Sequence, residues 1–250
     1  MIVFAQLSDT HLDGSQQRAD RARAVMAYLN AAPTPLDAVL VTGDIADNGR
    51  PAEYQQARDI LTAPCPVLVC PGNHDSRAAF RHVLLDGSGD RDDQPVNLLY
   101  RVAGAVFALC DSTIPGRADG YLADQTIAWL DSVLGDEPDA PAFVVCHHQP
   151  AQLHTPASDE IRLAGADRLA EVIGRHPQVV AILCGHAHSA GATMFAGRPL
   201  RVAPGVVSTG LMPWEPGQDM DPAAPPGVAY HVLDDDGRLT THYRAIPVGS

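Results

Sequence analysis

No run of basic residues occurs in this chain, and 17 Lys and Arg stand against 30 Asp and Glu, for a net charge of -13. A cationic surface that coats a nucleic-acid backbone is thereby excluded. Phosphate chemistry is still open to so acidic a chain if metal cations sit in its site. No window approaches the roughly 18 consecutive apolar residues of a membrane span, so no membrane partner is expected. The opening residues Met1 to Leu7 read as a strand rather than a leader, and the expected setting is the cytoplasm. Cysteine is sparse: Cys65, Cys70, Cys110, Cys146 and Cys184 include no CxxC spacing, and four of them close apolar runs. They read as reduced, buried thiols, neither a disulfide framework nor a zinc cage. Internal repeats and low-complexity segments are also absent.

What is present is an alternation of strands and helices. Residues 2–7, 38–41 and 66–70 are short apolar runs, each stopped by a polar cluster containing Gly or Asp. Between them Ala22, Val25, Met26 and Leu29, and later Tyr54, Ala57, Ile60 and Leu61, recur at helical spacing, with Pro51 suited to a first helical turn. A further helix carries Phe80, Val83 and Leu84, and 86–95 reads as an exposed loop. Residues 98–102 and 106–110 flank a short turn and open a second sheet. After a helix over Ile127, Leu130, Val133 and Leu134, the strands 143–146 and 179–183 bracket a helix over Leu169, Val172 and Ile173. Two hairpins follow, 193–202 and 228–243, separated by a Pro-rich loop over 213–226. With 250 residues, one domain is expected.

The polar clusters gather at strand ends, where open α/β sheets place their chemistry. They carry Asp9 and His11, Asp44, Asn73 and His74, His147, then His186 and His188. Three carboxylate or amide oxygens and, with His74 set aside, four imidazoles exceed the about four ligands of one tetrahedral zinc and suit two metal ions. Two cations roughly 3.5 to 4 Å apart repel, so an anion must bridge them, and Asp44 is the candidate bridge. In Asp9-Thr10-His11 and in His186-Ala187-His188 the spacing of two puts both side chains on one face of an extended segment. Taken singly, each Asp is more ordinarily a turn or cap residue and each His a solvated loop residue. His147 and His148 are adjacent, and either could be the ligand. His82, His154, His176, His231 and His242 lie outside these clusters and read as surface or packing residues, and Trp129 reads as core.

The ordered set Asp9-Thr10-His11, Gly43-Asp44, Gly72-Asn73-His74-Asp75, His147-His148 and Gly185-His186-Ala187-His188 resembles the motifs of the calcineurin-like metallophosphoesterase superfamily. The stretch 42–54, with Gly72 to Asp75 and Gly120-Tyr121-Leu122, is similar to its class III cyclic-nucleotide phosphodiesterase and glycerophosphodiesterase branch. This resemblance implies an α/β fold in which a two-sheet β-sandwich is flanked by helices (α/β/β/α). It implies that Asp9, His11, Asp44 and His188 bind one metal, and that Asp44, Asn73, His147 and His186 bind the other. Iron, manganese, zinc and cobalt all accept such ligands.

The expected activity is hydrolysis of a small phosphodiester, a cyclic nucleotide or a glycerophosphodiester, by a metal-bridging hydroxide. His74 is the expected acid for the leaving alkoxide or a phosphate ligand, with Asp47 or Asp75 to orient it, so that His74, Asn73 and Asp44 form the catalytic set. A phosphomonoesterase or protein phosphatase is the runner-up. Protein phosphatases of the superfamily carry Arg and Glu where this chain has Asn48 and Asp75. A catalytically silent metal-binding scaffold would lack a ligand or the acid, and this chain keeps them all. Residues 190–226, with Met212, Trp214 and Met220, are expected to form the rim of the active site and a contact in a homo-dimer.

Overall fold

Strands and helices alternate as their hydrophobic spacing requires. In the computed structural model, which describes residues 1–85, 87 and 93–247, the chain runs β1 (Ile2–Leu7), α1 (Gln16–Asn30), β2 (Ala38–Thr42), α2 (Pro51–Ile60), β3 (Val67–Cys70) and α3 (Arg77–Leu84). It continues through β4 (Leu98–Val102), β5 (Ala105–Leu109), β6 (Gly120–Tyr121), α4 (Asp124–Asp136), β7 (Ala142–Val145), α5 (Pro156–Glu160) and β8 (Leu163–Ala164). The last third holds α6 (Ala166–Arg175), β9 (Val179–Cys184), β10 (Gly191–Phe195), β11 (Arg198–Val202), β12 (Thr209–Gly210), β13 (Met220–Asp221), β14 (Gly227–Leu233) and β15 (Leu239–Ala245). The expected loop over 86–95 lies largely outside the described residues.

Two mixed sheets result, in the orders β15-β14-β1-β2-β3 and β10-β11-β9-β7-β5-β4. Their inner faces meet in a core where Phe4 packs edge-on against Phe107 and Phe143, ring centroids 5.0 Å away in each case. Such edge-to-face contacts suit the aromatic quadrupole. The buried faces of α1, α2 and α3 cover the outer side of the first sheet, and α4 and α6 cover that of the second. This is the expected four-layer α/β/β/α sandwich, and Trp129 packs half-buried on its second outer core.

Both expected hairpins form, and tertiary structure decides where they go. β14 returns antiparallel to β1, so the chain's last hairpin extends its first sheet. The Pro-rich loop is closed by a two-residue pairing of β12 with β13, which hydropathy does not signal. In the centre β1, β2 and β3 run parallel, as do β5, β7 and β9, so the carboxyl ends of both trios share one edge of the sandwich.

Gln6 ties the layers together. Its amide nitrogen donates to the Cys184 carbonyl of the other sheet (2.9 Å), and its oxygen accepts from Nε2 of His231 (2.9 Å). His231 is fully buried, and desolvation, followed by the nearby Arg201 charge, pushes its pKa down to about 3. It is therefore neutral in the fold but takes up a proton when unfolded below its ordinary range. Stability falls as pH drops from about 6.5 to 3, by up to ~1.4 kcal/mol per pH unit from this group. Thermal melts across that window are expected to show the fall, and His231→Gln to make it shallower by about one proton's worth.

Candidate metal centre

Every candidate ligand lies on the shared edge. Asp9 and His11 follow β1, Asp44 follows β2, Asn73 and His74 follow β3, His147 follows β7, and His186 and His188 follow β9. To turn inward at once, the backbone adopts left-handed dihedrals at Asp9 (φ 56°), His11 (φ 42°), Asp44 (φ 49°), His186 (φ 68°) and His188 (φ 53°). For residues with a Cβ, each such turn costs about 1 to 2 kcal/mol and persists only where surrounding contacts enforce it. Two glycines clear the space. A Cβ on Gly43 (φ 92°) would stand 2.4 Å from Nδ1 of His147, and one on Gly72 would stand 2.2 Å from Oδ1 of Asp44.

Asp44 is buried at the centre. Its Oδ1 accepts from the His74 backbone N–H (2.9 Å), while its Oδ2 lies 3.3 Å from Nε2 of His147 and 3.5 Å from Nε2 of His11. Burial alone would raise its pKa; the imidazoles of His147, His11 and His74 outweigh that and hold the carboxyl ionised. Asp75 locks this turn, accepting from the backbone N–H groups of Ile45, Ala46 and Gly72 and from the Tyr54 hydroxyl. Desolvation, then the Asp44 charge, pushes its own carboxyl up to about 6.

The imidazoles are oriented by their far nitrogens. Nδ1–H of His147 donates to the Thr42 carbonyl (2.7 Å), His11 Nδ1 pairs with the Asp47 carboxylate (3.0 Å), and His188 Nδ1 meets the Ser208 hydroxyl (3.0 Å). Such outer partners are how proteins aim a histidine at a metal. The inward nitrogens then face one another: Nε2 of His11 lies 3.3 Å from Nε2 of His188, and Nε2 of His147 lies 3.3 Å from Nδ1 of His186. Lone pairs at that separation repel unless a proton or a cation lies between them. Asp9 Oδ1, Asn73 Oδ1 and His186 Nε2 are buried with no hydrogen-bond partner, a costly state for polar atoms. Among the described residues, four overlapping groups of ligand atoms, each within 4.8 Å, are able to hold a metal ion; three of them link Asp9, His11, Asp44, His147, His188 and His74. The residues therefore fit a metal centre.

His148 is the exception. It belongs by distance to the fourth group, with His147 and His186, but its Nε2–H donates to the Ala118 carbonyl (3.1 Å) and its Nδ1 accepts from the Ser112 hydroxyl (2.8 Å). Neither nitrogen is left for a ligand or a substrate. Desolvation first, then the neighbouring His147, lowers its pKa to about 3 and keeps it neutral.

His74 is exposed at the mouth, with its ring edge-on to His11 at 4.6 Å. Of the two expected orienting residues it is Asp47 that holds the ring, through its backbone: Nδ1–H of His74 donates to the Asp47 carbonyl (2.8 Å), leaving Nε2 free. The Asp47 carboxylate serves His11 and Arg18 instead, and Asp75 serves the backbone. Sequence reasoning gave no role to Ser208, Thr42 or Arg18: Ser208 and Arg18 lie in no motif, and the contact of Thr42 with His147 arises only through the fold.

The model of the calcineurin-like phosphoesterase family matches residues 2–190. The glycerophosphodiester phosphodiesterase GpdQ of Enterobacter lignolyticus is 35% identical over 220 residues, 82% of this chain and 78% of that protein. The 3',5'-cyclic adenosine monophosphate phosphodiesterase CpdA of Escherichia coli K12 is 28% identical over 96% of this chain and 88% of its own length. A dimetal phosphatase from Danio rerio has a similar fold, with a TM-score of 0.74 at 18% identity over 98% of this chain and 96% of that one.

Burial opposes charge on His147, but the carboxylates of Asp44 and Asp9 and the bonds to Asp44 and Thr42 outweigh it and raise its pKa to about 10. Without metal this imidazole carries a proton at neutral pH, and a ligand must shed it. Titrating metal-free protein with Mn²⁺ or Zn²⁺ at about pH 7.5 is expected to release at least one proton per chain. Calorimetry in buffers of differing ionisation enthalpy reads this number; zero would contradict the assignment of His147.

Proposed function

The chain belongs to the calcineurin-like phosphoesterase family, and we propose that it hydrolyses small phosphodiesters, glycerophosphodiesters or cyclic nucleotides, at a dinuclear metal centre, as the names of its relatives suggest. The observation that carries this reading is the gathering of ligand atoms at this edge, among which Asp9 Oδ1, Asn73 Oδ1 and His186 Nε2 are buried without a hydrogen-bond partner. Asp9, His11, Asp44 and His188 would hold one ion, and Asp44, Asn73, His147 and His186 the other. Bound there, two ions supply neutralisation of phosphate charge and an acidified water as nucleophile. The imidazole and carboxylate donors suit iron, manganese, zinc or cobalt.

The chain's own groups do the rest. Asp47 fixes the His11 ring through its carboxylate and the His74 ring through its carbonyl. With Nδ1 so engaged, Nε2 of His74 is the atom that faces substrate; carrying a proton, it hydrogen-bonds the phosphate and protonates the departing alkoxide. Asn48 turns its amide to Glu53 (3.0 Å), so no cation stands where protein phosphatases carry Arg, which favours a diester over a phosphoprotein. Residues 190–226 form part of the rim in this reading, since Val207, Ser208, Met220 and Pro222 line a cleft at the site, and the exposed Trp214 marks the proposed contact with a second copy. The cytoplasm is the proposed compartment: all five cysteines are free, and among the described residues no helix is long and apolar enough to cross a membrane.

Asp44→Asn is expected to lose both metals and activity, because it removes the anion assigned between two cations. Metal analysis after desalting, alongside turnover of bis-p-nitrophenyl phosphate, checks it; two retained metals with near-normal turnover would sink the bridging role.

His74→Ala is expected to keep its metals and to lose about 100-fold or more in rate on a glycerophosphodiester, whose alkoxide needs a proton. The loss on a p-nitrophenyl ester should be smaller. Equal losses on both would leave His74 a phosphate ligand only.

A further inference from the structure

Two clefts, not one, open beside the metal centre. The first, of about 600 Å³, exposes His11 and His188 at its floor and has Arg18, Val207, Met220 and Pro222 among its walls. The second, of about 550 Å³, reaches Asn73 and is bounded by Ser76, Thr113, Ile114 and Pro115. Among the described residues His74 alone lines both. It forms the divide, and its backbone N–H is bonded to the central Asp44 carboxylate.

Each cleft has a wall fixed by a guanidinium. Arg21, on α1, donates to the carbonyls of Val206 (2.8 Å) and Ala224 (2.6 Å), which pins the segment carrying Val207, Met220 and Pro222. Arg77, on α3, donates to the fully buried Asp111 carboxylate (2.7 Å) and to the Thr113 carbonyl (2.8 Å), which pins the wall carrying Ile114 and Pro115. Arg18 is paired with Asp47 (2.7 Å) and Asp13 (3.4 Å). The arginines of both clefts are thus taken up by protein groups, and apart from these, from His11, His74 and His188 and from Asp47, Asp75 and Asp93, the lining carries no ionisable side chain among the described residues.

The chemistry of a diester sets what such a pair of clefts can take. In an open-chain phosphodiester the two ester arms diverge from a tetrahedral phosphorus, so a phosphate held beneath His74 can send one arm into each cleft. A 3',5'-cyclic nucleotide ties both ester oxygens to one ribose. Its bulk leaves phosphorus on a single side and fills one cleft only. We propose that the two clefts meeting at His74 receive the two separate alcohol arms of an acyclic phosphodiester, arms bearing no second phosphate, and that the chain prefers such diesters to cyclic nucleotides. This rests on the phosphodiesterase reading above and chooses between the two substrate classes it leaves open.

The test compares wild type with Ile114→Trp and Pro115→Trp, which fill the second cleft, and Met220→Trp, which fills the first. Each is checked for metal content and for its circular dichroism, and the two second-cleft variants guard against one misfolding. In bis-p-nitrophenyl phosphate both arms are bulky, whereas in methyl p-nitrophenyl phosphate the arm that stays is only a methyl. Tryptophan in the cleft of the staying arm is expected to lower the ratio of their kcat/KM values about tenfold or more, and tryptophan in the other cleft to lower both together. The Kd of dibenzyl phosphate, read by calorimetry on metal-loaded protein, should rise by about tenfold for either cleft. Wild type should favour a glycerophosphodiester over cyclic AMP by about tenfold in kcat/KM. Ratios and Kd values that no substitution moves more than about twofold, or a preference for cyclic AMP, would overturn the two-arm proposal while leaving a phosphodiesterase. A metal-loaded wild type inactive on every diester would overturn the phosphodiesterase reading itself.

Discussion

A buried carboxylate ringed by imidazoles is the interaction on which the rest of this structure depends. Asp44 is held by the His74 N–H and faces His147 and His11 within 3.5 Å. Bringing so many donors to one carboxylate requires strands to end at one point and turn at once, and five of the residues involved accept left-handed backbone to do so. That conformation costs free energy in a chain without ligands, as do the unpartnered atoms of Asp9, Asn73 and His186. The folded sandwich supplies the difference, and a cation at the centre would return it.

The sandwich can do this because its sheets are rigidly registered. Phe4, Phe107 and Phe143 lock the inner faces, and Gln6 bridges from the first sheet to the Cys184 carbonyl, one residue before the Gly185 turn. Displacing either sheet by one residue would separate Asp9 and Asp44 from His147 and His186. Asp75 provides the same service locally, exchanging exposure to solvent for three backbone hydrogen bonds that fix the turn around Asp44. A carboxylate so used holds the turn around Asp44, although its position beside His74 suggested that it would orient that ring.

The centre explains phosphate chemistry in a chain of net charge -13, since the cations that handle phosphate are borrowed rather than built in. Arginines near the site are consumed in holding walls, so in the proposed reading substrate arms would meet shape and apolar surface more than charge. From the late segment that follows these motifs, the Ser208 hydroxyl meets Nδ1 of His188.

The alternation of apolar runs with helical periodicity determined the order of strands and helices, and the strand-end positions of Asp9, His11, Asp44, Asn73, His147, His186 and His188 marked the candidate ligands, while the four-layer sandwich was implied by the resemblance of the motifs to a known family. These features were legible because each is local: a strand's end and its ligand are adjacent in the chain, so hydropathy and motif report both. The partners of those ligands were not legible. Thr42 reaches His147 across 105 positions, Ser208 reaches His188 from an irregular loop, and the pairing of β14 with β1 joins the two ends of the chain. Whether His147 or His148 faced the centre was likewise open in the sequence, and it was decided by the Ala118 carbonyl and the Ser112 hydroxyl, which claim both nitrogens of His148. Such choices depend on which distant groups come within about 3 Å. Only the packing of two sheets around one edge decides that.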